Sequence, residues 1–266
     1  MNAIAESIGV APRLRHIADR HVYVFTAAWF VVLTLAGFIP SSLDKIQAVH
    51  DGQRPPFPVE LHVHAALMGT WLLVLLGQSV LMARGQRLWH RTLGWVAAAL
   101  LPTIVISGVL LIRVTWQGLW GPASAAMPAG ALLETRTFVS NIMLLQIRAL
   151  LGFSLFLIWA WRVRRTDPES HRRLVLLGTA IPLIAGIDRL TTTLGWTTMP
   201  ASPVALDLYM VLSVLPLLAW DLLRHRQVHA TTRAWLLINL PMALATNLLW
   251  GSEWWLTQAP RLVGVV

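Results

Sequence analysis

Residues 60–111 read ELHVHAALMGTWLLVLLGQSVLMARGQRLWHRTLGWVAAALLPTIVISGVLL, two apolar runs joined by a short basic turn carrying Arg84, Arg87 and Arg91. At about 1.5 Å per residue, the helix from His64 to His90 is longer than the roughly 30 Å hydrocarbon core of a bilayer. The two histidines therefore belong to opposite ends of the same membrane helix and cannot share one site. The stretch predicts a helical hairpin crossing a membrane twice, with polar groups at two depths.

Composition agrees with that reading. Of 266 residues, 56% are hydrophobic and 12% charged, and the mean hydropathy is +0.62, whereas an ordinary soluble domain carries about 25% charged residues. The chain has no cysteine, which excludes a disulfide framework, a thiolate metal site and a thiol nucleophile, and leaves histidine, carboxylate and methionine as metal ligands. The formal charge of +9 does not point to nucleic acid, because the arginines fall in short runs between apolar segments, where positive charge sets membrane orientation. Lys45, the only lysine, lies outside every apolar run, so a retinal Schiff base inside a helix is excluded.

Apolar runs predict seven spans, at about 22–39, 62–84, 93–112, 142–161, 174–194, 204–223 and 234–252, each near the roughly 20 residues a membrane helix needs. The run from Val22 is longer than a signal-peptide core and lacks a clear cleavage site, so it reads as a retained span. Alternate connecting segments hold 14 basic residues (three before Val22, then the turns around Arg87, Arg165 and Arg226), and the other segments hold five: Lys45, Arg54, Arg113, Arg136 and Arg261. This alternation predicts an all-α multi-pass protein of the inner membrane, N-terminus inside and C-terminus outside. Its single domain (1–266) would be built on a four-helix core from two hairpins, 62–112 and 142–194. Tryptophans fit the two interfaces, with Trp89, Trp95, Trp159, Trp161, Trp220 and Trp235 near the inner ends and Trp116, Trp120, Trp196, Trp250, Trp254 and Trp255 near the outer ones. The segments 40–61 and 115–140 read as long outer loops.

A weak repeat relates the hairpins: His90-Arg91-Thr92-Leu93-Gly94 opens one helix and His171-Arg172-Arg173-Leu174 another, 81 residues on. Each follows a span ending in arginines, as parallel repeats would.

Two constellations could carry chemistry. The outer one comprises Arg148, Asp188, Arg189, Asp207 and Asn247, with His64 nearby, contributed by different spans at depths of about 5–10 Å from the outer surface. Ionisable groups in spans face the bundle interior and need partners, and the four charges sum to zero, which predicts two ion pairs. Those pairs either fix helix packing or line a water-filled pocket for a small-molecule ligand. His62 and His64 diverge by about 200° on a helix, so they could chelate a divalent metal only on extended backbone, which Pro55, Pro56 and Pro58 would permit. The inner constellation is His90, His171, Asp221 and His229 with Gln78 above them. Two imidazoles at the starts of two spans could ligate a haem iron or serve as interfacial caps beside headgroup-binding arginines. The methionines, Met199 and Met210 among them, show no repeated spacing and read as packing. Gly69, Gly77, Gly85, Gly94 and Gly108 read as close helix contacts. No phosphate-binding loop, dinucleotide fingerprint or nucleophile elbow is present.

The pattern H-x-H-A-A-L-M, H-R-x-L-G and D-P-x-x-H-R-R-L, with Trp220-Asp221 and His229 downstream, resembles a group of uncharacterised bacterial inner-membrane proteins over about residues 60–232. No activity comes with that likeness. The chain is more distantly similar to the transmembrane cytochromes b reduced by ascorbate, whose four-helix core holds two haems b between histidines of alternate helices. The resemblance implies a haem between His90 and His171 and electron transfer, with a quinone among the conceivable partners. It departs at the other haem: span two offers His62 or His64, but span four has no histidine, only Gln146 and Arg148. Two classes of function follow: a haem- or metal-binding redox protein, or a non-redox carrier, sensor or accessory subunit with its polar site in the outer leaflet.

Overall fold

The computed structural model describes residues 2–119, 124, 127–197 and 202–264, and within the first helix only the backbone of residues 2–18 and 20. Trp120 and Met199 lie outside the described residues. The described chain is helical, without a strand. Its helices are α1 (Asn2–His50), α2 (Val59–Ala83), α3 (Arg87–Gly118), α4 (Ala129–Val163), α5 (Pro168–Ala180), α6 (Ile184–Thr193), α7 (Pro203–Ser213), α8 (Leu215–Trp220), α9 (Ala230–Leu249) and α10 (Glu253–Leu262), and a π-helical turn, Asp221–His225, extends α8.

Four stretches, His21–His50, α2, α3 and α4, are long and apolar enough to cross a bilayer; three bent pairs bring the number to as many as seven. The bends are 47° between α5 and α6, 54° between α7 and α8, and 105° between α9 and α10. Proline explains the first two: Pro182 and Pro216 cannot donate a helix hydrogen bond, and each disfavours helical backbone in the residue before it. The third turns at Gly251, whose φ of +68° suits glycine, and Ser252 then caps α10 by accepting the Trp255 N–H at 3.3 Å.

Burial is the reverse of a soluble helix bundle. Along α9, Thr231, Thr232, Asn239 and Thr246 are buried, while Leu237, Leu240, Leu244 and Leu248 are exposed. In water this arrangement would expose a row of leucines; in lipid it satisfies both faces. The same outward-facing leucine, valine and phenylalanine recur on the other long helices, so the fold is that of a membrane-embedded helical protein.

The core runs through Phe30, Trp71, Phe156, Leu177, Val214 and Leu217. The helix α1 packs into this core: Ala27 and Phe30 are fully buried, and Gly37 lies directly on Gly186 of α6. A Cβ on Gly37 would stand 1.9 Å from the Gly186 carbonyl oxygen, so this crossing requires glycine. Of the glycines singled out in the sequence, Gly108 does meet a neighbouring helix, with Leu150 only 2.9 Å from where its Cβ would be. Gly69 faces open space, and Gly85, at φ +73°, makes the turn between α2 and α3.

Two predicted loops are shorter than expected. The first helix continues through Pro40 to His50, so the irregular part of 40–61 shrinks to 51–58. Polar side chains continue the helix where the apolar pattern stops: Lys45 Nζ donates to Ser41 Oγ at 2.9 Å, and Gln47 Nε2 donates to Asp51 at 2.8 Å, both at i,i+4 spacing. Lys45 is thus helical, beyond the apolar run. The segment 115–140 shrinks likewise, because α3 reaches Gly118 and α4 starts at Ala129. The tryptophan belt is partial: Trp89, Trp95, Trp196 and Trp254 are exposed, but Trp116, Trp235 and Trp255 are in the interior.

Candidate functional site

At the predicted outer end, α4, α7 and α9 bring three of the sequence-predicted residues together. Arg148 Nη1 lies 2.5 Å from Asp207 Oδ1, with the arginine side chain 4% exposed and the aspartate 23%. Asn247 Nδ2 donates to the other carboxylate oxygen at 3.1 Å and to its own helix at the Ala243 carbonyl at 2.9 Å. The second guanidinium nitrogen meets the sulfur of Met210, at 3.8 Å. Arg148 Nε is buried and has no hydrogen-bond partner among the described residues. The guanidinium is therefore held by one carboxylate oxygen, although its shape allows two parallel bonds.

Of the expected ion pairs, Arg148–Asp207 is formed. Arg189 donates back to the Ala185 carbonyl at 2.6 Å and stacks over the Phe38 ring of α1, 4.5 Å from its centroid. Asp188 is buried, and its backbone carbonyl accepts the hydroxyls of Thr191 and Thr192. The two residues diverge by about 100°, as neighbours on a helix must.

His62 and His64 are both helical, because α2 starts at Val59, immediately after Pro58. The extended backbone that chelation required is absent, and the rings diverge. His62 is exposed, with its ring edge-on to Phe57 at 6.2 Å. His64 Nδ1 lies 2.9 Å from Ser107 Oγ, whose own proton goes to the Ile104 carbonyl, so His64 donates. Among the described residues no group of three or more histidines and carboxylates is arranged to hold a metal ion.

The predicted inner end holds a different arrangement from the one expected. Asp221 pairs with Arg173, not with a histidine: the contacts are 2.8 Å from Nη2 to Oδ1 and 3.0 Å from Nη1 to Oδ2, with side-chain exposures of 3% and 1%. Arg173 Nε donates to Glu169 at 2.9 Å, the Tyr23 hydroxyl donates to the same carboxylate, and Arg172 meets its other oxygen at 2.6 Å. Asp221 also accepts the His229 backbone N–H at 3.0 Å. One network thus ties α1, α5, the π-helical turn and the start of α9, and its two arginines balance its two carboxylates.

Local sequence builds this network. Asp167 caps α5 by accepting the Ser170 N–H at 3.0 Å, and that hydrogen bonding holds its carboxyl below the usual carboxylate range; Pro168 occupies the first turn, as proline can. Glu169 and Arg173 then follow at i,i+4 spacing. His229 caps α9, its Nδ1 accepting the Thr231 N–H at 3.2 Å, and burial, with Arg173 close by, pushes the ring below its ordinary range. In the sequence Arg173 stands out only within the repeat, and Tyr23 and Glu169 not at all, although the Asp-Pro-Glu cap followed by arginine four residues on is a legible signal.

The other two inner histidines lie near each other, within electrostatic range. His171 Nδ1 donates to the Ala160 carbonyl at 2.9 Å, while His90 Nδ1 and Gln78 Oε1 are buried without a partner among the described residues. A groove of about 370 Å³ at this end of the bundle is lined by Leu81, Gln86, Trp89, Thr92, Leu93 and Val96. It opens between α2 and α3 and is almost wholly apolar.

No family model, curated protein or solved structure matches the chain. Its geometry alone must carry the functional reading.

Proposed function

We propose that this chain is a multi-pass carrier of the bacterial inner membrane for a small anionic solute, bound at Arg148, Asp207 and Asn247. It has seven spans, three of them broken, with the N-terminus inside and the C-terminus outside. The alternation of 14 against five basic residues supports that orientation. The observation that carries the reading is Arg148, a cation almost wholly buried in a membrane helix yet held by a single carboxylate oxygen, with Nε unpartnered. An incoming carboxylate or similar anion can take the unused donors and share or displace Asp207, which is partly open.

The surroundings support transport over simple packing. Both Met210 and Asp207 lie on α7, within two turns of the break before Pro216, and interrupted helices are where membrane carriers place their sites.

The test is thermal unfolding of detergent-purified protein against acetate, lactate, succinate and sulfate at constant ionic strength. A bound anion at about 100 times its Kd stabilises by about 2.7 kcal/mol. The proposal expects at least one of these anions to raise the Tm of the natural chain and none to raise that of Arg148→Leu/Asp207→Asn. Equal responses in both proteins would sink it.

A further inference from the structure

The two buried ion pairs lie at opposite ends of α9. Its first residues meet Asp221 through the His229 N–H, and its last turns meet Asp207 through Asn247, so α9 runs antiparallel to α7 and α8. Between these ends the interior face of α9 carries Thr232, Trp235, Asn239 and Thr246, all buried. On a helix these four positions fall within an arc of about 60°. They span about 21 Å of the helix axis, most of a hydrocarbon core.

Three of them have polar atoms left over. Thr232 Oγ1, Trp235 Nε1 and Asn239 Oδ1 are buried without a hydrogen-bond partner among the described residues, and the three residues are no more than 2% exposed. Isolated orphans of this kind are rare and costly. Here they follow one another along one helix face, a donor, an acceptor and a hydroxyl within two turns.

Level with the interval between Asn239 and Thr246, α7 supplies one polar group. The Asp207–Asn247 contact sets the antiparallel register, so the residue six positions inward on α7 comes level with the residue six positions inward on α9. On α7 that residue is Ser213, whose buried hydroxyl donates to the Met210 carbonyl; on α9 it is Pro241, which lies on the opposite, exposed face and adds nothing to the row. The row of polar atoms thus continues from Thr232, through Asn239 and Ser213, to the Arg148–Asp207 pair.

We infer that this row holds a file of water molecules that conducts protons between the Arg173–Asp221 network and the Arg148–Asp207 site. Each orphan supplies one of the two to four polar contacts a buried water needs. A proton entering at one end is passed by exchange of O–H bonds along the file, and an equivalent proton leaves at the other end. The titratable groups of the networks at the two ends of the row are Tyr23, Glu169, Asp221 and His229 at the inner end and Asp207 at the outer, with Arg172, Arg173 and Arg148 as fixed cations. No oxidant or reductant is needed; the moving charge is balanced by another ion crossing the membrane.

The inference stands apart from the solute reading. Loss of every anion response with proton flux intact would remove that reading and leave this one.

The experiment reconstitutes the full chain in phosphatidylcholine vesicles containing a pH-sensitive dye, with a potassium gradient and valinomycin supplying the driving potential and the balancing current. The natural chain is expected to acidify or alkalinise the lumen well above the protein-free rate. Asn239→Leu should lower that flux by at least about tenfold, since an apolar side chain breaks a hydrated relay. Its Tm should change little, because leucine removes the unpaired Oδ1 together with the bond that Nδ2 gives to the Trp235 carbonyl. Thr232→Val, a near-isosteric change at the inner part of the row, should lower the flux as well, and it decides the matter if Asn239→Leu does not fold. A natural chain no faster than empty vesicles, or folded variants that conduct as it does, would overturn the inference.

Discussion

Asp221→Asn is expected to destabilise the detergent-solubilised protein by about 3–5 kcal/mol, the cost of leaving a buried charge without its partner. Arg173 gives all three guanidinium nitrogens to Glu169 and Asp221 and is almost completely buried. Asparagine keeps the shape but removes the charge that compensates the guanidinium. The loss extends beyond the pair, since Asp221 also accepts the His229 N–H at the start of α9, and Glu169 holds Tyr23 of α1. Arg172→Ala is the control. Arg172 meets the same carboxylate but is 38% exposed at its side chain, and exposed pairs contribute only about 0–1 kcal/mol. Unfolding curves in a mixed-micelle denaturant series should separate the two variants clearly; similar small losses would mean that the network does not hold the bundle.

The second large effect is expected at the outer pair. Asp207→Asn leaves Arg148 charged, buried and without a counter-charge, again costing about 3–5 kcal/mol. Arg148→Leu should cost less, because Asp207 is partly open and can be hydrated. The double variant Arg148→Leu/Asp207→Asn should recover most of the lost stability, since a buried ion pair replaced by neutral groups is often close to neutral. The recovery must not extend to function. If the pair were only packing glue, the double variant would match the natural chain in anion response as well as in stability.

Much of the fold was legible because lipid imposes a simple rule: every span must be long, apolar and helical. The runs after Glu60 and Arg91 read directly as α2 and α3. What the apolar pattern missed was helix continued by polar side chains, as at Lys45 and Gln47, and helix broken by proline, as at Pro182 and Pro216. Breaks inside an apolar run leave hydropathy unchanged, so α5–α6 and α7–α8 each looked like one straight span.

The site was legible in part for a related reason. Depth can be counted along a helix, and counting placed Arg148, Asp207 and Asn247 in one layer, which the structure joins. Direction was less accessible: Arg189 lies at a similar depth but turns to Phe38 on α1, a partner that sequence spacing could not identify. At the inner end, histidines drew attention because imidazole has so many uses. The residues with the best-formed contacts, Glu169 and Arg173, looked like ordinary loop charges, since only the fold brings Asp221 and Tyr23 to them.

The account rests on the Arg148–Asp207–Asn247 layer being open to water from outside and not sealed in lipid. The chain has no cysteine of its own, so one thiol can report on one position. Asn247→Cys places it in the layer, and Leu244→Cys places it less than one turn away on the lipid-exposed face. A thiol reacts as its thiolate, which forms only where water reaches. With a membrane-impermeant maleimide added to intact cells, the account predicts that the cysteine at 247 reacts at least about tenfold faster than the one at 244. Equal and negligible labelling of both would contradict it.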